Sequence, residues 1–364
     1  MKFKISRSKF ADGLKAVQNI VAGKGSLLIL QNVMIEANGK AIKMTTTDLD
    51  ISINCMVECE VEEAGVTTLP VKLLANSILK LAEGIVEVDV DAKEKATITA
   101  GTTKFRLAGL PESEFPRLPK DEEAHSYKLQ QATLKEMLRK TAYAASQDET
   151  RRTLKGVLMS FKDQKLTMVA TDGRRLALVE KEVEFSKSAE KDIVLPSKAV
   201  QELQRSLGNE DEVDIQIQRS QVCFKLGDIS IYSKLIDENY PNYLQVIPKE
   251  TAEKIQVDRQ ALLDALDRAS VMTIDEAHST KLIFEMNKLT VTSAANDIGE
   301  AKDEVAIKYA GERIEIMFNP NYVMDPLKVI DDDEVTINLN NGHSPAVIKC
   351  SIPFLYVLMP LRVS

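Results

Sequence analysis

The chain repeats itself three times, and that repetition constrains its fold more than any other feature. Phe3-Lys-Ile-Ser-Arg-Ser-Lys-Phe10 matches Tyr127–Leu134 and Ile255–Leu262 in apolar pattern, at offsets of 124 and 128 residues. Each copy reads as a strand, a short polar turn and the start of a helix. Asp48 in MTTTDLD, Asp172 in TMVATDG and Asp297 in TVTSAAND are spaced by 124 and 125 residues. Leu69-Pro70, Leu195-Pro196 and Asn319-Pro320 mark a second strand-to-helix junction, and Phe115-Pro116 returns as Tyr240-Pro241. A period of about 125 residues is domain-sized, so three copies of one domain are expected.

Within a copy the order is strand, helix, two or three alternating strands, a second helix and further strands, which defines an α+β unit. Period-2 stretches such as Glu87-Val-Asp-Val-Asp91 and Asp214-Ile-Gln-Ile-Gln218 predict antiparallel strands with one wet face. Helices are expected at 7–24, 71–84, 133–147, 197–208, 258–270 and 320–330. Charged, proline-containing stretches at 116–126 and 248–253 break the periodicity and read as linkers. They bound domains at 1–121, 127–247 and 253–364.

Hydrophobic residues at 44% and charged residues at 28% suit compact folding rather than disorder or a rod. There is no run of 18 apolar residues, and MKFKISRSKF lacks a signal-peptide core, which points to a cytoplasmic protein without membrane contact. A net charge of −8 argues against coating nucleic acid by global attraction. The charge is segregated, however. The six helical spans hold 14 basic and 8 acidic residues, against 33 and 47 elsewhere, although the third copy's helices net −1. Two readings stand on charge alone: a helical face that meets a polyanion, or Lys and Arg as ordinary exposed-helix residues.

Catalytic signatures are missing. Cys55, Cys59, Cys223 and Cys350 are too few for a disulfide framework. Cys55 and Cys59 alternate with Ile51, Ile53 and Val57 as the apolar face of one strand, and His125, His278 and His343 are too scattered to complete a zinc site. VAGKGS at 21–26 lacks the Ser or Thr after Lys24 that a phosphate loop requires. Asp172-Gly173 reads as a hairpin turn, and the acidic runs at 121–123 and 331–334 as solvated turns. With no HExxH, GxSxG, GxGxxG or Cys/His dyad, no enzyme, cofactor or metal is expected. A hydrolase built on Asp48, Asp172 and Asp297 is the enzymatic rival, disfavoured because the repeat makes them equivalent turn positions.

The triplication, the hairpin Ala170-Thr-Asp-Gly-Arg-Arg-Leu-Ala177, the segment Asp148-Glu-Thr-Arg151 leading to Leu154-Lys-Gly156, and the terminal Tyr356-Val-Leu-Met-Pro-Leu-Arg362 together resemble the bacterial sliding-clamp family, the β subunit of the replicative DNA polymerase III. The resemblance spans the whole chain. It implies three clamp domains, each with two helices on antiparallel sheets, in a head-to-tail homodimer closed as a ring around double-stranded DNA. Such a ring is a processivity factor that holds DNA without reading sequence, is placed there by a clamp loader, and tethers replicative and repair polymerases through short linear peptide motifs. The resemblance points to Lys24, Arg151 and Arg152 for DNA contact, then Arg7, Lys135, Arg139 and Arg205. Arg152 stands where the family commonly has a neutral residue.

A peptide pocket between the second and third domains is implied at Leu154, Thr171, Gly173, Arg174, Arg175, Leu176, Pro241, Val246, Met359, Pro360, Leu361 and Arg362. Its apolar cleft would take a Leu or Phe side chain of a short extended peptide carrying a Gln. Arg174 replaces a frequent His there, and Gln245 a frequent basic residue. Ring closure is implied at Phe105 and Leu107 against Val271 and Met272, with Lys104 near Glu300, Asp303 and Glu304. Pro326 lies inside the last expected helix and predicts a bend. The rival from another class is a DNA-binding scaffold that never closes.

Overall fold

The computed structural model describes residues 1–21, 27–116, 124–273, 279–295 and 298–361. Lys24, His278, Asp297 and Arg362 lie outside the described residues, as does the acidic run at 121–123. The first repeat comprises β1 (Lys2–Ser6), α1 (Arg7–Val17), β2 (Asn32–Asn38), β3 (Ala41–Thr47), β4 (Ile51–Glu58), β5 (Glu60–Glu63), β6 (Gly65–Pro70), α2 (Val71–Lys80), β7 (Ile85–Val90), β8 (Lys95–Ala100) and β9 (Thr103–Ala108). The second comprises β10 (His125–Gln130), α3 (Gln131–Thr141), β11 (Gly156–Lys162), β12 (Lys165–Thr171), β13 (Arg175–Glu182), β14 (Lys191–Pro196), α4 (Ser197–Ser206), β15 (Glu212–Ile217), β16 (Gln221–Leu226) and β17 (Ile229–Lys234). The third comprises β18 (Glu253–Asp258), α5 (Arg259–Ser270), β19 (Thr280–Glu285), β20 (Lys288–Ala295), β21 (Gly299–Lys308), β22 (Ile314–Phe318), α6 (Pro320–Val329), β23 (Glu334–Leu339), β24 (Ala346–Lys349) and β25 (Phe354–Leu358).

Every repeat builds the same two antiparallel ladders. One runs β1-β7-β8-β9, β10-β15-β16-β17 or β18-β23-β24-β25, and the other β6-β2-β3-β4, β14-β11-β12-β13 or β22-β19-β20-β21. The chain forms two compact units, one from residues 1–135 and 198–235, the other from 136–197 and 236 onward. In the first unit β17 pairs with β4, from Ile229↔Cys55 to Ser233↔Ile51, fusing two ladders into an eight-stranded sheet. In the second unit β13 pairs with β25, from Arg175↔Leu358 to Val179↔Phe354, within a twelve-stranded sheet. Successive repeats are thus joined by continuous sheet, and the unit boundary passes through the second repeat.

The helices form where apolar residues recur at helical spacing. Phe10, Ala11, Leu14 and Val17 of α1 are buried, as are Leu262, Ala265, Leu266 and Ala269 of α5. Asp258 caps α5 by accepting from the Ala261 amide at 2.7 Å. The first helix stops at Val17 instead of reaching residue 24, giving way to a 3-10 turn at Gln18–Ile20. Asn and β-branched residues in this stretch are weak helix formers.

In the first and third repeats the residue opening the first helix reaches carbonyls at the C-terminal end of the second, where the dipole is negative, whereas in the second repeat Gln131 bonds beyond the end of α4. Arg7 donates through Nε to the Ile78 carbonyl (3.2 Å) and through Nη2 to that of Leu79 (2.8 Å). Gln131 donates to the Glu212 carbonyl (3.2 Å) and accepts from the Gly208 amide (2.7 Å). Arg259 donates to the carbonyls of Leu327 (3.0 Å) and Asp332 (2.9 Å).

Two local expectations need correction, on Cys59 and on the acidic run at 331–334, while helix α6 runs through Pro326 to Val329. Proline leaves the carbonyl four residues earlier without its amide donor, and that carbonyl, on Tyr322, accepts instead from the Tyr356 hydroxyl at 2.7 Å. Cys55 is buried in β4, but Cys59 lies half-buried at the break between β4 and β5, because the edge turns there to pair with β1. The acidic run at 331–334 is not simply a solvated turn. Asp331 accepts from Arg139 at 2.8 Å, Asp332 accepts from the Ser351 amide at 2.7 Å, and Glu334 pairs with Lys308 at 2.6 Å.

Candidate functional site

The positions expected to form a peptide pocket, Arg362 excepted, lie within the second unit, around a turn at Thr171–Arg175. Asp172 Oδ1 accepts from the amides of Arg174 (2.8 Å) and Arg175 (3.0 Å). The Thr171 hydroxyl donates to the Arg175 carbonyl (2.6 Å) and accepts from the Gly173 amide (3.1 Å). Gly173 adopts φ +86°, a conformation that favours glycine. The first repeat builds the same turn: Asp48 Oδ1 accepts from the amides of Asp50 (3.0 Å) and Ile51 (2.8 Å), and the glycine's place is taken by Leu49 at φ +79°.

The C-terminal strand lies beside this turn. The Met359 amide donates to the Arg174 carbonyl at 2.9 Å, and the β13–β25 ladder begins at Arg175↔Leu358. Pro360 and the Leu361 side chain are half-buried, with the Leu361 amide donating to Met317. Leu176 is buried in a cluster with Leu158, Val169, Val194 and Val357. Tyr240, Tyr243, Ile236, Ile247, Leu178 and Leu355 pack on it. Burial pushes the Tyr240 phenol up. Beside this cluster Met359 stays 41%, Val246 47% and Leu244 63% exposed, an apolar surface open to a ligand.

Sequence reasoning named Pro241 and Val246 here and missed Tyr240, Tyr243 and Ile247. The Tyr-Pro-Asn-Tyr run was their available signal. Pro241 and Arg174 are exposed, and Leu154 half-buried. Arg175 is not a rim group: its side chain is 10% exposed, facing Asp172 and Asp325.

The basic residues divide by what already holds them. Arg7, with Glu83 as an ion-pair partner, serves the end of α2. Arg139 is bound by Asp331 and Arg205 by Glu202, and Lys135 donates to Asn209 at 3.3 Å. Arg151 lies against the pocket turn, donating to the Asp172 carbonyl at 3.2 Å, and it immediately precedes the 3-10 turn Arg152–Lys155 that carries Leu154. Arg152 is exposed. A polar cleft of about 380 Å³ lined by Gln18, Asn19, Lys72 and Asn76 went unnoticed in the sequence.

The positions expected to close a dimer lie on sheet edges. β9 pairs with β8 and ends the five-stranded sheet, with Lys104 exposed, Phe105 half-buried and Leu107 buried. β21 pairs with β20 along its length, but with β18 only at Ile307 and Lys308. Glu300 and Glu304 on it are exposed, and Asp303 accepts from Arg268 at 2.6 Å, which holds its carboxyl below the ordinary value. Val271 is 67% exposed and Met272 half-buried.

A triplicated two-ladder fold with exposed apolar side chains beside its C-terminal strand defines a clamp-type architecture. Family models for the DNA polymerase III beta subunit match in chain order: the N-terminal domain over residues 1–119, the central domain over 128–242 and the C-terminal domain over 244–362. The Beta sliding clamp of Chlamydia muridarum is 33% identical over 362 residues, covering 100% of this chain and 99% of that protein. That of Bacillus subtilis is 30% identical over 376 residues, with 100% of each covered. Among solved structures, the DNA polymerase sliding clamp from Pseudomonas aeruginosa superposes with a TM-score of 0.96 at 28% identity, and a sliding clamp from Bartonella birtlesii with 0.95 at 34%. Both matches cover 100% of each chain. The chain belongs to the DNA polymerase III β-subunit family, the bacterial sliding clamps.

Proposed function

We propose that two copies of this chain close head to tail into a ring around double-stranded DNA and act without catalysis as a processivity factor. The observation that carries this is the tally of sheet edges. Each internal junction joins a strand of the β4 or β13 kind to one of the β17 or β25 kind. Among the described residues, the corresponding strands β21, over residues 299–305, and β9 keep an open edge. Open edges template pairing with another chain, and a head-to-tail repeat closes if its rotation divides the circle. Moving Ala177 forward by one repeat of about 125 residues and Tyr356 back by two sets Lys302 opposite Arg106, and so Lys104 opposite Glu304 and one position from Asp303. Three clamp domains, at 1–121, 127–247 and 253–364, would then make six per ring.

DNA would be held through phosphates, by Lys24, Arg151 and Arg152 foremost, then by Lys135 and Arg139, whose exposed partners yield readily to phosphate, and by Arg205 through its remaining donors, since its partner Glu202 is buried. The cleft around Leu176 and Met359 would bind the linear peptides of replicative and repair polymerases, and a loader would open the Lys104–Glu304 seam. Two measurements test this reading. Light scattering should give twice the 40.4 kDa chain mass. Deleting Met359–Ser364 should abolish binding of a polymerase-derived peptide and leave the dimer intact; a monomer, or unchanged peptide affinity, contradicts it.

A further inference from the structure

The pocket turn is held in place from the third repeat. The Arg175 guanidinium donates Nε to Asp172 Oδ2 (3.1 Å), Nη1 to Asp325, and Nη2 to the Tyr143 carbonyl (2.7 Å). It lies 4.3 Å from the Tyr322 ring centroid and 5.7 Å from that of Tyr143. Tyr322 and Asp325 sit one turn apart on α6, whereas Tyr143 and Arg175 belong to the second repeat. Asp172 has two roles: its Oδ1 builds the turn and its Oδ2 holds Arg175. The shape of the turn therefore depends on how Arg175 is divided between Asp172 and Asp325.

We propose that Asp325 is a positioning residue for peptide binding. It fixes Arg175, and through Arg175 and Asp172 it fixes the Thr171–Arg175 turn that frames the cleft. This inference rests on the peptide-pocket reading above. Replacing Asp325 by Asn leaves a largely buried guanidinium with one carboxylate, and a poorly compensated buried charge reorganises its neighbours. Arg175 then draws Asp172 away from the amides of Arg174 and Arg175. The turn spends less time in the binding shape, and apparent affinity falls by that fraction.

Asp331 supplies the control. It also bridges the second and third repeats, accepting from Arg139 at 2.8 Å with Lys140 at 3.9 Å, but it has no bond to the turn. In the full-length protein, the affinity of a labelled synthetic peptide carrying Gln, Leu and Phe is measured for the wild type, Asp325→Asn, Asp325→Glu and Asp331→Asn. Amide hydrogen exchange at Arg174 and Arg175 is followed in parallel. Asp325→Asn should weaken binding about tenfold and speed exchange at both amides, Asp325→Glu should partly restore both, and Asp331→Asn should stay within about twofold of wild type. Unchanged exchange in Asp325→Asn, or equal losses in the Asp325→Asn and Asp331→Asn variants, would overturn the proposal. A wild type that fails to bind the peptide contradicts the pocket reading instead, and the exchange measurement still decides whether Asp325 positions the turn.

Discussion

Leu49 and Gly173 occupy the same turn in successive repeats, and only the second residue suits its backbone angle. A left-handed conformation costs a branched residue roughly 1–2 kcal/mol that glycine avoids, partly offset by glycine's greater entropy in the unfolded chain. Leu49→Gly is therefore expected to stabilise the protein by about 0.5–1 kcal/mol in urea unfolding, and a loss of stability would show that Leu49 packs usefully. Arg7 and Arg152 make a second contrast. Arg7→Ala should lower stability by about 1–3 kcal/mol because the α2 carbonyls lose a charged donor, while the salt dependence of DNA binding stays unchanged. Arg152→Ala should leave stability alone and reduce that salt slope by about one. Local pattern identified Asp48 and Asp172 as turn formers because an Asx turn spans a few residues. It could not show that Arg7 serves a helix end over 70 residues away, since no periodicity records a long-range partner.

At the scale of elements, helix α6 depends on a strand for continuity. Tyr356→Phe removes the hydroxyl that satisfies the Tyr322 carbonyl and should cost about 1–3 kcal/mol, with hydrogen exchange rising first in α6. Undisturbed α6 protection would mean that the proline gap needs no partner. Carboxylates that tie elements together also set the acid limit. Asp303 is held below its ordinary pKa by Arg268, and Asp332 by hydrogen bonds from Ser351. Depressed folded values contribute stability that is complete above the unfolded carboxylate pKa of about 3.9 and is lost as pH falls through the folded values. Urea midpoints should hold steady from neutral pH to about 4.5 and drop below that. Helices and strands were legible to within a few residues from their apolar periods, except the C-terminal ends of α1 and α3, which stop six to seven residues early and give way to 3-10 turns. The pairing of the 331–334 run with Arg139, Ser351 and Lys308 was not, because a carboxylate run reads the same whether solvated or engaged.

At the scale of the molecule, the repeat forecast antiparallel strands in every copy but neither the ladders they build nor the fusion of those ladders. The pairing of β1 with β7 joins residues about 80 positions apart and the β4–β17 and β13–β25 pairings residues about 180 apart, and none carries a local signal. The latter two pairings make the central claim specific, since the same joint is left open once at each end of the triplication. A closed ring holds DNA by topology and slides off any free end, whereas an open scaffold holds it by contacts alone and ignores ends. The decisive measurement loads the protein onto a closed circular plasmid with a clamp loader added, linearises half the sample with a restriction enzyme, and follows retention at moderate salt. Retention on the circle with rapid loss from the linear form is the predicted result; equal release from both would contradict encirclement.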